Sequence, residues 1–503
     1  MAQPLQSINL VAPAFRGINT EESPIGQDTS FAELADNSII DRRGRLASRK
    51  GNKVVTTNKT ALGTDFIHRI HEFYDSAGNE VIFSTGNNKV MTGTTTLVDA
   101  TPGSYNITSN DWKIVNFNDK AYFFQRGYDP LVYDNANGLR TFTVANGGAT
   151  NATFKCNEVL PAFGRLFIAG NASNDTTIYW SDLLNGNAFT GGSIDVSKVW
   201  PNGFDKIVAL AAHNGLLVVF GEHNTIMYDG AGSPASMTLK DTIAGVGCVD
   251  RNTVQNIGSD LIFLSQDGLR SFGRAIQEKS LPVTDLSRNI KQELIALILS
   301  NTSPMFSAYS PENYFYLLGL RDSDVIFCFD LRGQLETGSY RVTRWTTNQF
   351  KSFARDRNGD LYIGSSAGIG TYEGYDDNGS TYRFRYRSPG LTFGDPSKIK
   401  LLKKIRPVII GGNDSDIFLN WSYDFEVSSN TAKFRVPGAT PGFYGLSEYN
   451  STAEFTLGDL VSRKSLNCTG NGTVVTVGLE TDVNGHAISL QEFNVLALIG
   501  KTV

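Results

Sequence analysis

An all-β fold is predicted by three features of this 503-residue sequence. Short apolar runs bounded by Gly, Asn and Asp recur along most of its length. Aromatic residues are abundant, with 31 Phe and 19 Tyr against 5 Met, and 50 Gly supply the turns that many short strands need. The pattern is clearest from Ile207 to Gly232, IVALAAHNGLLVVFGEHNTIMYDGAG. Ile207 to Ala211 runs into a His213-Asn214-Gly215 turn, Leu216 to Phe220 is continuously apolar, and Thr225 to Tyr228 alternates before Asp229-Gly230. Runs this short between such turn residues fit strands better than helices.

The same phrase recurs as EVIFSTGNNKVM from Glu80, KAYFFQRGYDPLVYD from Lys120, RLFIAGNASNDTTIYWSD from Arg165, DLIFLSQDGLRSFG from Asp260, NYFYLLGLRDSDVIFCFD from Asn313 and DLYIGSSAGIGTY from Asp360. With Val81, Tyr122, Leu166, Leu217, Leu261, Tyr314 and Leu361 as markers, the intervals are 41, 44, 51, 44, 53 and 47 residues. A four-stranded propeller blade takes roughly 40 to 50 residues, so residues 61–375 are expected to form a β-propeller of six to eight blades, some irregular. A generic β-sandwich, which also alternates short strands and turns, is the competing architecture.

Residues 1–60 read as an N-terminal arm, poor in periodic structure and divided by charge. Glu21 to Asp41 holds six acidic and no basic residues; Arg42 to Lys59 holds seven basic and no acidic ones. Such an arm either pairs with itself across a turn or lies on a neighbouring subunit. Phe31 to Ile40, FAELADNSII, is expected as a short helix capped near Thr29 or Ser30. Between blades, Leu286, Ile290, Leu294 and Leu297 recur at helical spacing, which predicts one inserted amphipathic helix over Leu281 to Ser300, packed on its own domain. After Gly374 the rhythm changes, and residues 376–503 hold enough alternating runs for a C-terminal β-sandwich-like domain. In SKIKLLKKIRPVII, Ile399, Leu401 and Ile405 fall on one side of a strand and Lys398, Lys400, Lys404 and Arg406 on the other. That basic face, with Arg42, Arg43 and Arg45 of the arm, is the candidate assembly or DNA-path surface. Gly438 to Glu454 reads as a long surface loop.

A formal charge of −5 and a pI near 5.7 argue against tight nucleic-acid binding by bulk electrostatics, though not against a protein that surrounds DNA and lets it slide. Cys156, Cys248, Cys328 and Cys468 are far apart, with no CxxC pair, and read as reduced core thiols. The opening MAQPLQSINL lacks a basic start followed by a long apolar run, so no signal peptide is expected, and no run of apolar residues is long enough to span a membrane. No catalytic constellation is visible: there is no GxSxG, P-loop or HExxH, and no cofactor or metal is expected. His68 and His71 lie three apart in a strand and face opposite sides; His213 and His223 read as surface turn residues. Asp356 to Asp360, DRNGD, fits a tight hairpin turn better than a calcium loop. Ser265-Gln266-Asp267-Gly268 misplaces the glycine of a sialidase-type Asp-box.

Several segments resemble the tail nozzle, or tail tubular protein B-like, proteins of short-tailed bacteriophages. The leader carries Ala35-Asp36-Asn37 and then a Gly-x-Leu-x-x-Arg-x-Gly turn, here Gly44, Leu46, Arg49 and Gly51. Arg165 to Asp182, Leu217 to Gly230 and Asp267 to Gly273 are similar to the same proteins' propeller units, and Thr481 to Gln491 to their closing run. The resemblance implies a structural, non-enzymatic virion protein, assembled in the host bacterial cytoplasm into a homohexameric tail ring. That ring docks on a dodecameric adaptor next to the portal, contacts tail fibres or other tail proteins, helps retain the genome and lets double-stranded DNA leave along its axis. A propeller's own bore is too narrow for duplex DNA, so the conduit is expected between subunits. The alternative is a glycan- or receptor-binding tail propeller, with or without glycosidase activity, using Trp112, Trp180, Trp345 and Trp421 if they line a groove.

Overall fold

A computed structural model of the chain describes residues 5–103, 105–142, 154–278, 285–347, 349–426, 428–437 and 461–502. The periodic phrases form a β-propeller. Its inner strands, Arg69–Tyr74, Lys113–Phe117, Glu158–Ala162, Ile207–His213, Gln255–Asn256, Met305–Ser310 and Ser352–Arg355, follow one another around a common axis, the first packing against the last. Among the described residues six of these units are four-stranded and antiparallel, and the unit of Gln255–Asn256, Leu261–Ser265 and Gly268–Ser271 has three strands. Six of the seven sequence markers lie on the second strand of a unit, and Tyr314, left-handed at φ 56°, immediately precedes one. That strand has an apolar centre because it is covered on both faces by neighbouring blades, as in Leu217 to Phe220, which is wholly buried.

The arm does not reach away from the molecule. Its strand Asn52–Val54 supplies the fourth strand of the last blade, pairing with Gly368–Tyr372 and closing the ring between the two ends of the propeller segment. Gln6–Val11 and the hairpin Ser38–Ile40/Leu46–Ser48 join a sheet of the C-terminal domain through Ile488–Thr502. The acidic block is used internally: Asp28 meets Arg16, Glu33 meets Arg387, Asp36 meets Arg344 and Arg385, and Asp41 meets Arg45.

The helix expected over Phe31 to Ile40 is instead two strands, Leu34–Asp36 and Ser38–Ile40, broken at Asn37 by a φ of 50°. Tertiary pairing overrides local propensity here. Leu34–Asp36 lies between the blade strand Tyr340–Thr346, parallel, and Tyr382–Arg387, antiparallel, so a propeller blade and the C-terminal domain share one nine-stranded sheet. The described part of the C-terminal region forms two facing β-sheets. Tyr382–Arg387, Val475–Val483, Asp416–Tyr423 and Asn430–Arg435 face a second sheet built on Lys398–Gly411 and Ile488–Thr502. Between them lie Phe384, Tyr386, Leu419 and Val477 on one side and Leu402, Ile405, Phe493 and Val495 on the other, all buried. The inserted helix is found at Lys291–Ser300 after a 3-10 turn at Arg288–Ile290. Leu286, Ile290 and Leu294 are fully buried in the core that the sandwich shares, and Leu297 packs against it. A shorter helix, Phe272–Glu278, follows the three-stranded unit. The start of the insertion and the loop expected from Gly438 to Glu454 lie outside the described residues.

Where arm, blades and sandwich meet, Arg49 is fully buried and forked onto Asp377, with Nη1–Oδ1 at 2.9 Å and Nη2–Oδ2 at 2.6 Å. Its guanidinium lies over the rings of Tyr382 at 4.0 Å, Phe350 at 5.2 Å and Trp345 at 5.7 Å. Nε donates to Asn37 Oδ1 at 3.1 Å, and the Asn37 amide donates in turn to Thr346 Oγ1 and to the Arg383 carbonyl. Gly51 is required beside it, since a Cβ there would stand 1.7 Å from the Asp376 carbonyl oxygen. Removing one partner of a buried pair leaves the other charge uncompensated. Arg49→Leu is therefore expected to cost about 3–5 kcal/mol in urea unfolding. Arg49→Lys should recover only part of this, because an ammonium cannot make the planar fork. An unchanged midpoint for Arg49→Leu would refute this role.

Candidate functional site

The first residues of the inner strands converge at the propeller axis and bring charge with them. Asp111 is contacted by Arg251, whose Nη2 donates to its carbonyl at 2.6 Å and lies 3.0 Å from Oδ2, and by Arg321 at 3.9 Å. Arg69 donates to Asn252 at 3.2 Å, and Lys113 pairs with Glu158 at 3.4 Å. Asp250 accepts the backbone amides of Asn252 and Met305, both at 2.8 Å. Four cations and three carboxylates are thereby packed into one place. Burial opposes ionisation of Asp111, but the facing arginines outweigh it and hold its carboxyl below the usual range. Glu158 is 1% exposed and accepts no hydrogen bond among the described residues; burial pushes its carboxyl up and the Lys113 ammonium down.

This cluster separates two openings. On one side is a cavity of about 350 Å³ lined by Asp111, Asn157, Val208, Arg251, Thr302 and Met305; on the other is a funnel of about 420 Å³ lined by His71, Glu72, Asn116, Gln255, Tyr309 and Arg355. Members of the cluster line both openings, Arg69 the funnel and Asp111, Asp250 and Arg251 the cavity. Within the funnel His71 Nε2 contacts Asn116 Oδ1 at 2.9 Å, and Glu72 accepts the Arg357 amide at 2.6 Å. The DRNGD stretch closes the adjoining hairpin, with the Asp360 amide donating to Asp356 Oδ1 at 2.7 Å. No group of three or more His, Cys, Asp or Glu residues among the described ones is arranged to hold a metal ion.

The predicted basic surface divides. Arg42 and Arg43 are exposed in the turn between Ser38–Ile40 and Leu46–Ser48. Arg45 is 8% exposed and its Nε donates to Asp41 at 2.7 Å, which removes it from any external surface. The strand Lys398–Gly411 does not keep the simple alternation read from its sequence. Register shifts between Lys398 and Lys400 and between Leu402 and Lys404 re-aim its side chains. Lys400 is consequently fully buried with its ammonium on the Asp395 carbonyl, and burial pushes its pKa down. Lys398 pairs with Asp395 at 3.1 Å. Lys404 and Arg406 remain on the outer face. Sequence reasoning missed Lys403, Arg463 and Lys464, which pairing of Val461–Arg463 with the same strand brings beside them. Only the adjacency of Arg463 and Lys464 hinted at this, and it does not say which strand they join.

The aromatic groove of the alternative reading is absent at the named tryptophans. Trp112, Trp180, Trp345 and Trp421 are all buried, as is Trp200, and Trp345 stacks on Tyr372 at 5.3 Å. His213 is also interior, its ring edge against Phe272 at 5.6 Å, whereas His223 is exposed. A cavity of about 620 Å³ lies at the arm junction and is lined by Asn37, Asn52, Thr346, Phe350, Asp377 and Tyr382. No described helix is long and apolar enough to cross a membrane.

No protein-family model and no curated protein matches the chain. Solved structures do. The extracellular domain of a putative one-component system from B. thetaiotaomicron is 11% identical, with a TM-score of 0.41 over 80% of this chain and 59% of that one. The WD40 β-propeller domain of Doa1 is 11% identical, with a TM-score of 0.38 over 64% of this chain and 96% of that domain. The Pan2 WD40 domain of Neurospora crassa is 9% identical, with a TM-score of 0.38 over 65% and 94%. Likeness at this level says nothing about function.

A buried pair is often no better than an apolar pair of similar volume, whereas half a pair is costly. Lys113→Met and Glu158→Gln are each expected to destabilise by about 3 kcal/mol, and the double variant to regain most of that loss in denaturant midpoint. Additive losses would show that the two groups are not coupled between neighbouring blades.

Proposed function

We propose that the chain is a structural virion protein: the subunit of a homohexameric tail nozzle that docks on a portal-proximal adaptor, helps retain the genome and conducts DNA during ejection. The observation that carries this reading is where the nozzle-like leader sits. Ala35, Asp36, Asn37, Leu46 and Arg49 are all buried, at the seams that bind the propeller to the sandwich. A leader of that kind makes two domains into one stiff piece, which suits a wall segment bearing load from packed DNA. The ion pairs packed among the inner strands support a DNA path outside the propeller, between copies of the chain. On this reading no chemistry is required of the chain, and its partners are other tail proteins.

The receptor-binding alternative is less well supported, because the tryptophans that would stack on a sugar are used in the interior. Light scattering and low-resolution imaging of the purified protein, alone and with the adaptor, test the proposal. A six-fold ring with an axial opening wide enough for duplex DNA is expected. A monomer that persists with the adaptor, together with retention of a specific oligosaccharide on a glycan array, would replace the nozzle reading with the receptor reading.

A further inference from the structure

The two sheets of the sandwich treat their cations differently. On the sheet continuous with the propeller, Arg383 meets Glu480 and Asp482, Arg385 meets Asp36, Arg387 meets Glu33, Lys433 meets Asp416 and Arg435 meets Asp414. That face is internally neutralised. The strands of the other sheet contain a single carboxylate, Glu492, and it forms no ion pair among the described residues. Lys403, Lys404, Arg406, Arg463 and Lys464 lie together there, on Lys398–Gly411 and the short strand paired to it, and none has a described carboxylate partner. Among the described residues Arg406 Nε donates to Ser465 Oγ at 3.3 Å. The exposed Arg42 and Arg43 project from a turn of the same sheet.

We propose that this outer sheet face is a docking surface for the phosphate backbone of duplex DNA. Clustered cations with no described carboxylate partner, on the surface of an acidic protein, represent a local reversal of sign, and such a reversal attracts a polyanion. Alternate residues of a strand stand about 7 Å apart, so Lys404 and Arg406 form a row suited to a line of evenly repeated charge. Binding is electrostatic, independent of sequence and weak, which lets DNA slide past. The choice of DNA over an acidic protein rests on the conduit reading, but the docking itself does not need the ring.

The test is fluorescence anisotropy of a labelled mixed-sequence duplex with the full chain over a salt series. Wild type should bind at low salt. Lys404→Glu/Arg406→Glu should weaken binding at least about tenfold and flatten the salt slope by about two, at roughly 0.9 for each phosphate no longer neutralised. Lys198→Glu/Lys240→Glu, an equal charge change at exposed propeller sites, should bind as wild type does. Equal weakening in both variants would overturn the proposal, as would unaltered binding by the sandwich variant. So would a wild-type chain that ignores DNA but captures a poly-glutamate peptide through Lys404 and Arg406, since that would identify an acidic protein partner. Circular dichroism confirms that the variants fold. Failure of ring formation in light scattering leaves the anisotropy result intact, so the two proposals fail separately.

Discussion

The structure turns on the burial of one guanidinium. Arg49 comes from the arm, yet its fork, its ring contacts and its Asn37 bond reach two blades and the segment that enters the sandwich. Burying an arginine is costly unless every donor has a partner and the charge is balanced. Here Asp377 supplies the balance, three aromatic rings supply polarizable walls, and the Lys50 carbonyl accepts a further bond at 2.9 Å. These demands fix neighbouring residues: a glycine at Gly51 for close backbone approach, and a left-handed Asn37 able to donate and accept at once.

The weld has a mechanical consequence. Ring closure by Asn52–Val54 and sheet continuation by Leu34–Asp36 come from the same short stretch of chain. Propeller and sandwich are therefore not beads on a linker, since one sheet runs from a blade through Leu34–Asp36 into the second domain. Ion pairs pack among the inner strands of the propeller, whereas other charged groups lie on its outer faces. On those faces the distribution of charge, more than any cavity, distinguishes one surface from another.

Much of the fold was legible because blades repeat. The interval between markers, the apolar second strands and the stripe of Leu286, Ile290 and Leu294 are properties of local sequence, and each corresponds to an observed element. The errors share a cause. FAELADNSII has helical composition but is captured as strand by two partners more than 300 residues away. Strict alternation through Lys398–Gly411 fails because bulges reverse the faces, placing Lys400 inside and leaving Lys404 out. His213, placed on the surface from its turn context, is covered by Phe272 from the helix after the next unit. The tryptophans offered as a binding groove are the largest apolar groups available and fill the core.

By itself the sequence determined what depends on near neighbours: strand-forming runs, turn chemistry, the repeat and the amphipathic insertion. Tertiary structure alone decided what depends on partners distant in the chain. It set the strand that closes the ring, the sheet shared by two domains, the buried ion pairs and the sheet face on which cations have no carboxylate partner among the described residues. The physical reason is that burial and pairing energies are set by the assembled neighbourhood, and no single stretch of residues contains that neighbourhood.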